Sequence, residues 1–167
     1  MRRIVYVTTE QALGADTASA LRELVDRQEI VDTLHRFAFG RDLHDRALFE
    51  SAFTADAEFD FRPAATKCGL EVPLFEGIEM IAAIVLDPRL HTTHSVTNTR
   101  VSVDGDTASL SAIVEAQHLP ADDHSRHALL KNLYAATLVR DGQRWRIKHV
   151  RIDNVWYTGD PQVIVGG

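Results

Sequence analysis

The chain is 167 residues long, with 45% hydrophobic and 25% charged residues, which is enough to bury one substantial core and ordinary for a globular domain. A net charge of −6 without a basic cluster disfavours nucleic acid and anionic membrane as partners, and no apolar run approaches the roughly 20 residues of a membrane span. With Cys68 as the single cysteine there is no internal disulfide and no thiolate metal site within one chain, and a reducing, cytoplasmic location is expected.

Residues 1–16 carry an apolar stretch broken by Thr8, Thr9 and Glu10, and read as a loosely attached arm. From about Ala18 to Asp42, Leu21, Leu24, Val25, Val31, Leu34 and Ala38 recur at mostly three-, four- and seven-residue spacings, which predicts a long helix. Asp16, Thr17 and Ser19 are candidate caps for it, and Asp45 caps a short helix over Arg46–Phe53. Ala57, Phe59 and Phe61 alternate with Glu58 and Asp60 as in a half-buried strand. Pro63, Gly69 and Pro73 mark a loop, and Gly77–Val85 a further short helix that ends before Pro88.

Beyond Pro88 the pattern is β. Thr92–Val103 is rich in Thr and Val, Asp104-Gly105-Asp106 is a hairpin turn, and an alternating strand follows. His127–Arg140 and Arg144–Tyr157 are two more strands joined at Asp141-Gly142-Gln143. Helices first and hairpin strands second predict an α+β fold: a curved antiparallel sheet wrapped on the long N-terminal helix, a cone-shaped barrel with one internal pocket. The domain is expected over residues 17–160, with 161–167 as a C-terminal tail. Both parities of the penultimate strand are apolar, Leu129, Leu133, Ala135 and Val139 on one side and Leu130, Tyr134, Ala136 and Leu138 on the other. That is more apolar surface than one core needs, so a homo-oligomer, dimer or trimer, is expected through the convex face.

Three positions interrupt apolar faces with ionisable groups. At 100° per residue, Asp42 lies within about 40° of Val31, His35 and Ala38, so a carboxylate ends the apolar stripe. The plainer alternative is that Gly40 ends the helix and Asp42 is a solvated loop residue. His118 closes the inward parity of Ala108, Leu110, Ala112, Val114 and Ala116, where it is either a site residue or a core histidine held by a carbonyl. His91 and His94 are three apart and face opposite ways on a strand; His94 shares its parity with Val96, Asn98 and Arg100, a mixed face suited to a polar cavity. HxxH pairs converge poorly on strands and no HExxH occurs, so no metal is expected. There is no GxSxG and no Gly-rich phosphate loop, and Cys68 has no nearby histidine in sequence, so neither a nucleophilic mechanism nor a nucleotide cofactor is indicated.

The order and wording of the segments resemble a known family. Phe37–Leu48 (FAFGRDLHDRAL), Phe53–Asp60 (FTADAEFD), His94–Asn98 (HSVTN), Val103–Ala108 (VDGDTA) and Asp141–Ile147 (DGQRWRI) are similar to SnoaL-like proteins. These form, with scytalone dehydratase-like proteins, a branch of the nuclear transport factor-like, cystatin-like α+β superfamily. The resemblance covers roughly residues 18–158. It implies a dehydratase-like site of one aspartate and two histidines, falling on Asp42, His94 and, with a one-residue gap, His118. Where scytalone dehydratase holds a water with two tyrosines, this chain has Arg41 and Phe61, so scytalone itself is not the expected substrate. Tyr134 and Asn98 are further candidates for substrate contact.

Together these expectations define a cofactor-independent lyase or isomerase that removes a proton α to a carbonyl of a cyclic, apolar small molecule. Two alternatives stand beside it: a non-catalytic ligand- or protein-binding module, and an epoxide hydrolase-like Asp–Arg–Asp grouping drawn from Arg100 and Asp60 or Asp153.

Overall fold

A computed structural model describes residues 16–166. Residues 1–15, which hold nearly all of the expected arm, lie outside the described residues. Helix α1 spans Thr17–Asp42, and the Asp16 carboxylate caps it by accepting from the Ser19 N–H at 3.0 Å. Its second half is the buried half: Ile30, Leu34, Phe37 and Ala38 enter the core. Leu21, Leu24 and Val25 belong to the same periodic pattern but are 58–63% exposed, because the first turns of α1 run past the edge of the core. Periodicity selects a face of a helix; it does not say where the body beneath that face ends.

Gly40 does not end the helix. It sits inside α1 because α2 (Arg46–Ser51) crosses there so closely that a Cβ on Gly40 would lie 2.4 Å from the Phe49 nitrogen. The Asp45 carboxylate caps α2 through the Leu48 N–H at 3.0 Å, and α2 stops at Ser51, two residues short of the expectation. Strand β1 covers Phe53–Asp60. The stretch read as loop contains a helix, α3 (Arg62–Lys67); Pro63 is a helix starter at its first turn rather than a breaker. Strand β2 (Phe75–Glu76) and helix α4 (Ile78–Val85) follow.

Four long strands complete the chain: β3 (Leu90–Asp104), β4 (Thr107–Pro120), β5 (Ala128–Asp141) and β6 (Arg144–Gly159). The six strands lie in the order β2-β1-β6-β5-β4-β3. All neighbours are antiparallel except β1 and β6, which run parallel. The sheet is therefore curved but unclosed, with β2 and β3 as free edges, rather than a sealed barrel. Register shifts at Thr97/Arg100, Lys131/Asn132 and Thr137/Leu138 supply the bends. At the first of these, Asn98 adopts φ 53°.

Helix α1 lies across the concave face, against β3 and β6. Strand β5 shows the alternation that the curved sheet imposes. Leu130, Asn132, Tyr134, Ala136 and Leu138 are buried, while Leu133 on the opposite parity is 44% exposed. The segment read as a tail is part of the body: Pro161–Val165 forms a 3-10 turn, and Val163 is buried beside Leu70, Leu90 and Leu130. No described helix is long and apolar enough to cross a membrane.

Candidate active site

The concave face, α1 and the 3-10 turn enclose a cavity of about 400 Å³. Its walls are largely apolar, with Phe37, Phe59, Phe75 and Ile152 among them. Its polar lining comes from Arg41, Asp87, His94, His118, Asn132 and Tyr134, with Arg89 further out. The exposed lining residues Ile84, Arg89 and Val165 form the rim. An apolar chamber with a few polar groups aimed inward is the usual form of a small-molecule site.

At one wall, the last turn of α1 meets the start of β3. Asp42 there accepts three hydrogen bonds: from His94 Nδ1 at 2.6 Å and the Thr92 hydroxyl at 2.8 Å on Oδ1, and from the His94 N–H at 2.7 Å on Oδ2. The side chains are 15% and 5% exposed for Asp42 and His94. Burial by itself would raise the Asp42 pKa; the His94 ring and N–H and the Thr92 hydroxyl outweigh it, and the carboxylate is held below its ordinary range. A charged Asp42 bonded to Nδ1 makes Nδ1 the protonated ring nitrogen, which leaves Nε2 as the basic one.

His118 stands edge-on to His94, with ring centroids 5.8 Å apart. The residue is half-buried overall, yet its Nδ1 is shielded from solvent and has no protein partner among the described residues. Desolvation, with the nearby His94 and Arg41, pulls its pKa down to about 3, so at neutral pH it is uncharged. Tyr134 is buried; desolvation and the Asp42 charge push its hydroxyl pKa up, and it stays a phenol.

His94 and His118 both line the chamber, whereas Asp42 is not part of the lining and reaches it only through its bonds to His94. Arg41, Tyr134 and Phe61 also line it, Phe61 from the start of α3 rather than from a strand. Asn98 does not: the bulge turns it outward and exposes it, because one extra residue in β3 breaks the parity that linked it to His94. The Asp–Arg–Asp grouping is not found at the cavity either. Asp60 pairs with Arg62 at 2.7 Å and Arg151 at 3.6 Å, Asp153 pairs with Lys67 at 3.1 Å, Arg100 is exposed, and none of the three lines the chamber. His91 is exposed, facing away from His94. Burial raises the Cys68 pKa, which leaves a poor nucleophile.

Two contributors were not singled out from the sequence. Thr92 shares the parity of His94, which is the signal that could have found it. Asn132 is a lone amide on the buried parity of β5, and its Oδ1 accepts from Asn154 Nδ2 at 2.9 Å. That bond fixes the amide orientation and turns the NH₂ of Asn132 to other acceptors.

Comparison with known proteins gives the family and the fold. The SnoaL-like domain family matches residues 22–151. The chain belongs to the SnoaL-like domain family. A relative in Penicillium crustosum, the terrestric acid biosynthesis cluster protein E, is 32% identical over 146 residues, covering 82% of this chain and 88% of that protein. A candidate scytalone dehydratase from Novosphingobium aromaticivorans superposes with a TM-score of 0.70 at 17% identity, over 82% of this chain and 89% of that one. The type 3 hexachlorocyclohexane dehydrochlorinase of Novosphingobium barchaimii does so with a TM-score of 0.68 at 20% identity, over 83% and 92%. The fold is the cystatin-like one of nuclear transport factor-like proteins.

Proposed function

We propose that this SnoaL-like protein is a cofactor-independent lyase of the dehydratase type, or an isomerase, acting on a cyclic, largely apolar carbonyl compound. The observation that carries the reading is the Asp42–His94 pair: a charged, fully hydrogen-bonded carboxylate 2.6 Å from Nδ1, with the ring facing an apolar chamber. In this reading Nε2 of His94 takes the proton α to the carbonyl, and Asp42 steadies the imidazolium that forms. The electron pair left on the α-carbon becomes the new double bond as the β-hydroxyl departs. The departing oxygen takes back the proton from His94, so the balance is one substrate to one alkene and one water. Where the substrate carries a β,γ-double bond in place of the leaving group, the α-carbon's electron pair forms the α,β-double bond, the β,γ-pair takes the same proton at the γ-carbon, and the result is isomerisation. His118, uncharged at neutral pH, serves as a hydrogen-bonding partner for the carbonyl or leaving oxygen and not as a charged acid. The proteins of similar fold lend support by name, one for loss of water and the other for loss of hydrogen chloride. The Penicillium relative lends it by its place in a biosynthetic cluster.

The test separates proton abstraction from substrate identity. Cyclic ketones without a leaving group are incubated in D₂O with the wild type, Asp42→Asn and His94→Gln, and α-deuteration is followed by NMR; β-hydroxyketones are followed for enone absorbance. Wild-type exchange that falls about 10²–10⁴-fold in both variants is the expected result. Ketones that bind without exchange would leave a binding module in its place.

A further inference from the structure

Resting on the reading of this cavity as the substrate site, we propose that the substrate carries a carboxylate, and that Arg41 is its receptor. Arg41 is 3% exposed and lines the chamber that His94 and His118 also line. Its Nη1 is shielded from solvent and has no hydrogen-bond partner, and among the described residues no carboxylate comes within ion-pair distance of it.

A buried guanidinium without a partner is costly, and arginine does not discharge to escape the cost. The charges around Arg41 are already engaged. Asp42 is used by His94 and Thr92, and Asp87 by Arg89, whose Nη2 lies 2.7 Å from it. These two aspartates act on Arg41 only through space, against the desolvation that lowers its pKa. The lining as a whole holds two arginines and one aspartate, and the outer arginine is the one that is paired.

The same helix shows what a structural buried arginine looks like in this protein. Arg36, 8% exposed, bonds through all three of its nitrogens to Asp32, Glu29, Thr33 and the carbonyls of Ser51 and Trp145. Arg41 has none of these. What is missing at Arg41 is a planar acceptor delivered from the cavity, and a carboxylate meets an arginine fork with two parallel bonds. The base and the anion receptor then share one chamber, so the abstracted proton and the carboxylate belong to one small molecule.

Isothermal titration with cinnamate and cinnamamide tests this without turnover. The two probes have the same shape and differ in charge. The expected result is that wild type binds cinnamate about tenfold or more tightly than cinnamamide, that Arg41→Met removes the preference, and that Arg41→Lys retains part of it. Equal binding of the two probes by wild type, survival of the preference in Arg41→Met, or no binding of either at millimolar concentration would each overturn the proposal. Should Arg41→Met fail to fold, the wild-type ratio and Arg41→Lys decide it. His94→Gln is titrated alongside: it keeps Arg41, so cinnamate selectivity there, together with absent exchange chemistry in wild type, would sink the lyase reading and leave the anion receptor standing.

Discussion

The two ends of helix α1's buried half hold the same chemistry in opposite states. At the closed end, Arg36, Thr33, Asp26, Arg140 and Trp145 form one connected set. Thr33 Oγ1 lies 3.0 Å from the Trp145 carbonyl, Arg140 meets both Asp26 oxygens at 2.7 Å, and the Trp145 Nε1–H reaches Asp26 at 3.0 Å. At the cavity end, Arg41 Nη1 and His118 Nδ1 have no protein partner among the described residues. Buried polar groups in folded proteins are nearly always satisfied. A satisfied set holds the fold together, whereas an unsatisfied set in a chamber of about 400 Å³ is organised around something that arrives.

The largest expected effect follows from swapping the two arginines for the same apolar residue. Arg36→Met takes one of two donors from the buried Trp145 carbonyl, leaving it the Thr33 hydroxyl, and leaves Glu29 and Asp32 without their cation. Both carboxylates are part-exposed, so solvent softens the loss, and about 3 kcal/mol of stability should go. Arg41→Met removes an unpaired buried charge, so its urea midpoint should stay level or rise. Two midpoints that fall equally would erase the distinction between the ends.

A smaller effect tests the closed end through a neutral group. Thr33→Val keeps the shape and removes the hydroxyl that accepts from Arg36 at 3.0 Å and lies beside the Trp145 carbonyl. Leaving buried partners short should cost about 2 kcal/mol, read from urea unfolding. A cost below about 0.5 kcal/mol would mean that water or Arg36 re-satisfies the site.

How much of this was legible in the sequence differs between the ends. The candidate site residues were legible where strand parity holds: His94 and His118 each sit on an inward parity, and both line the chamber. Parity failed at Asn98, where a bulge that no residue pattern announces resets the count. The helix face was legible, but not its working length, since Leu21, Leu24 and Val25 match the pattern of Leu34 and remain exposed. Helix α3 was hidden by Pro63 and Gly69, which suit a helix start and a helix end as well as they suit a loop. The distinction between Arg36 and Arg41 was not legible at all. Both are arginines on one helix, and what separates them is whether partners from β6 and α2 arrive, which only the tertiary structure decides.

The smallest step, per unit of pH, separates the ends by where each loses stability in acid. The His118 pKa is lowered to about 3 from an ordinary value of 6.5, through burial and the adjacent His94 and Arg41. Between those values the unfolded chain binds a proton that the folded chain refuses. Stability from this group is fully present above about pH 6.5 and falls as pH drops, by about 1.4 kcal/mol per unit at most. At the closed end, the Arg140 bonds, with help from Trp145 and against burial, hold Asp26 below its ordinary 3.8. A depressed carboxylate contributes stability above its unfolded pKa and loses it only as pH falls through the folded one, so Asp26 acts below about pH 4. Asp42, lowered by its bonds to His94 and Thr92 against burial, acts in the same low window. Urea midpoints measured from pH 7 to 4.5 should therefore fall along a slope that belongs to the cavity end. His118→Gln should flatten that slope and leave the steep loss below pH 4 in place, whereas an unchanged slope in the variant would show that His118 takes up its proton in the folded state.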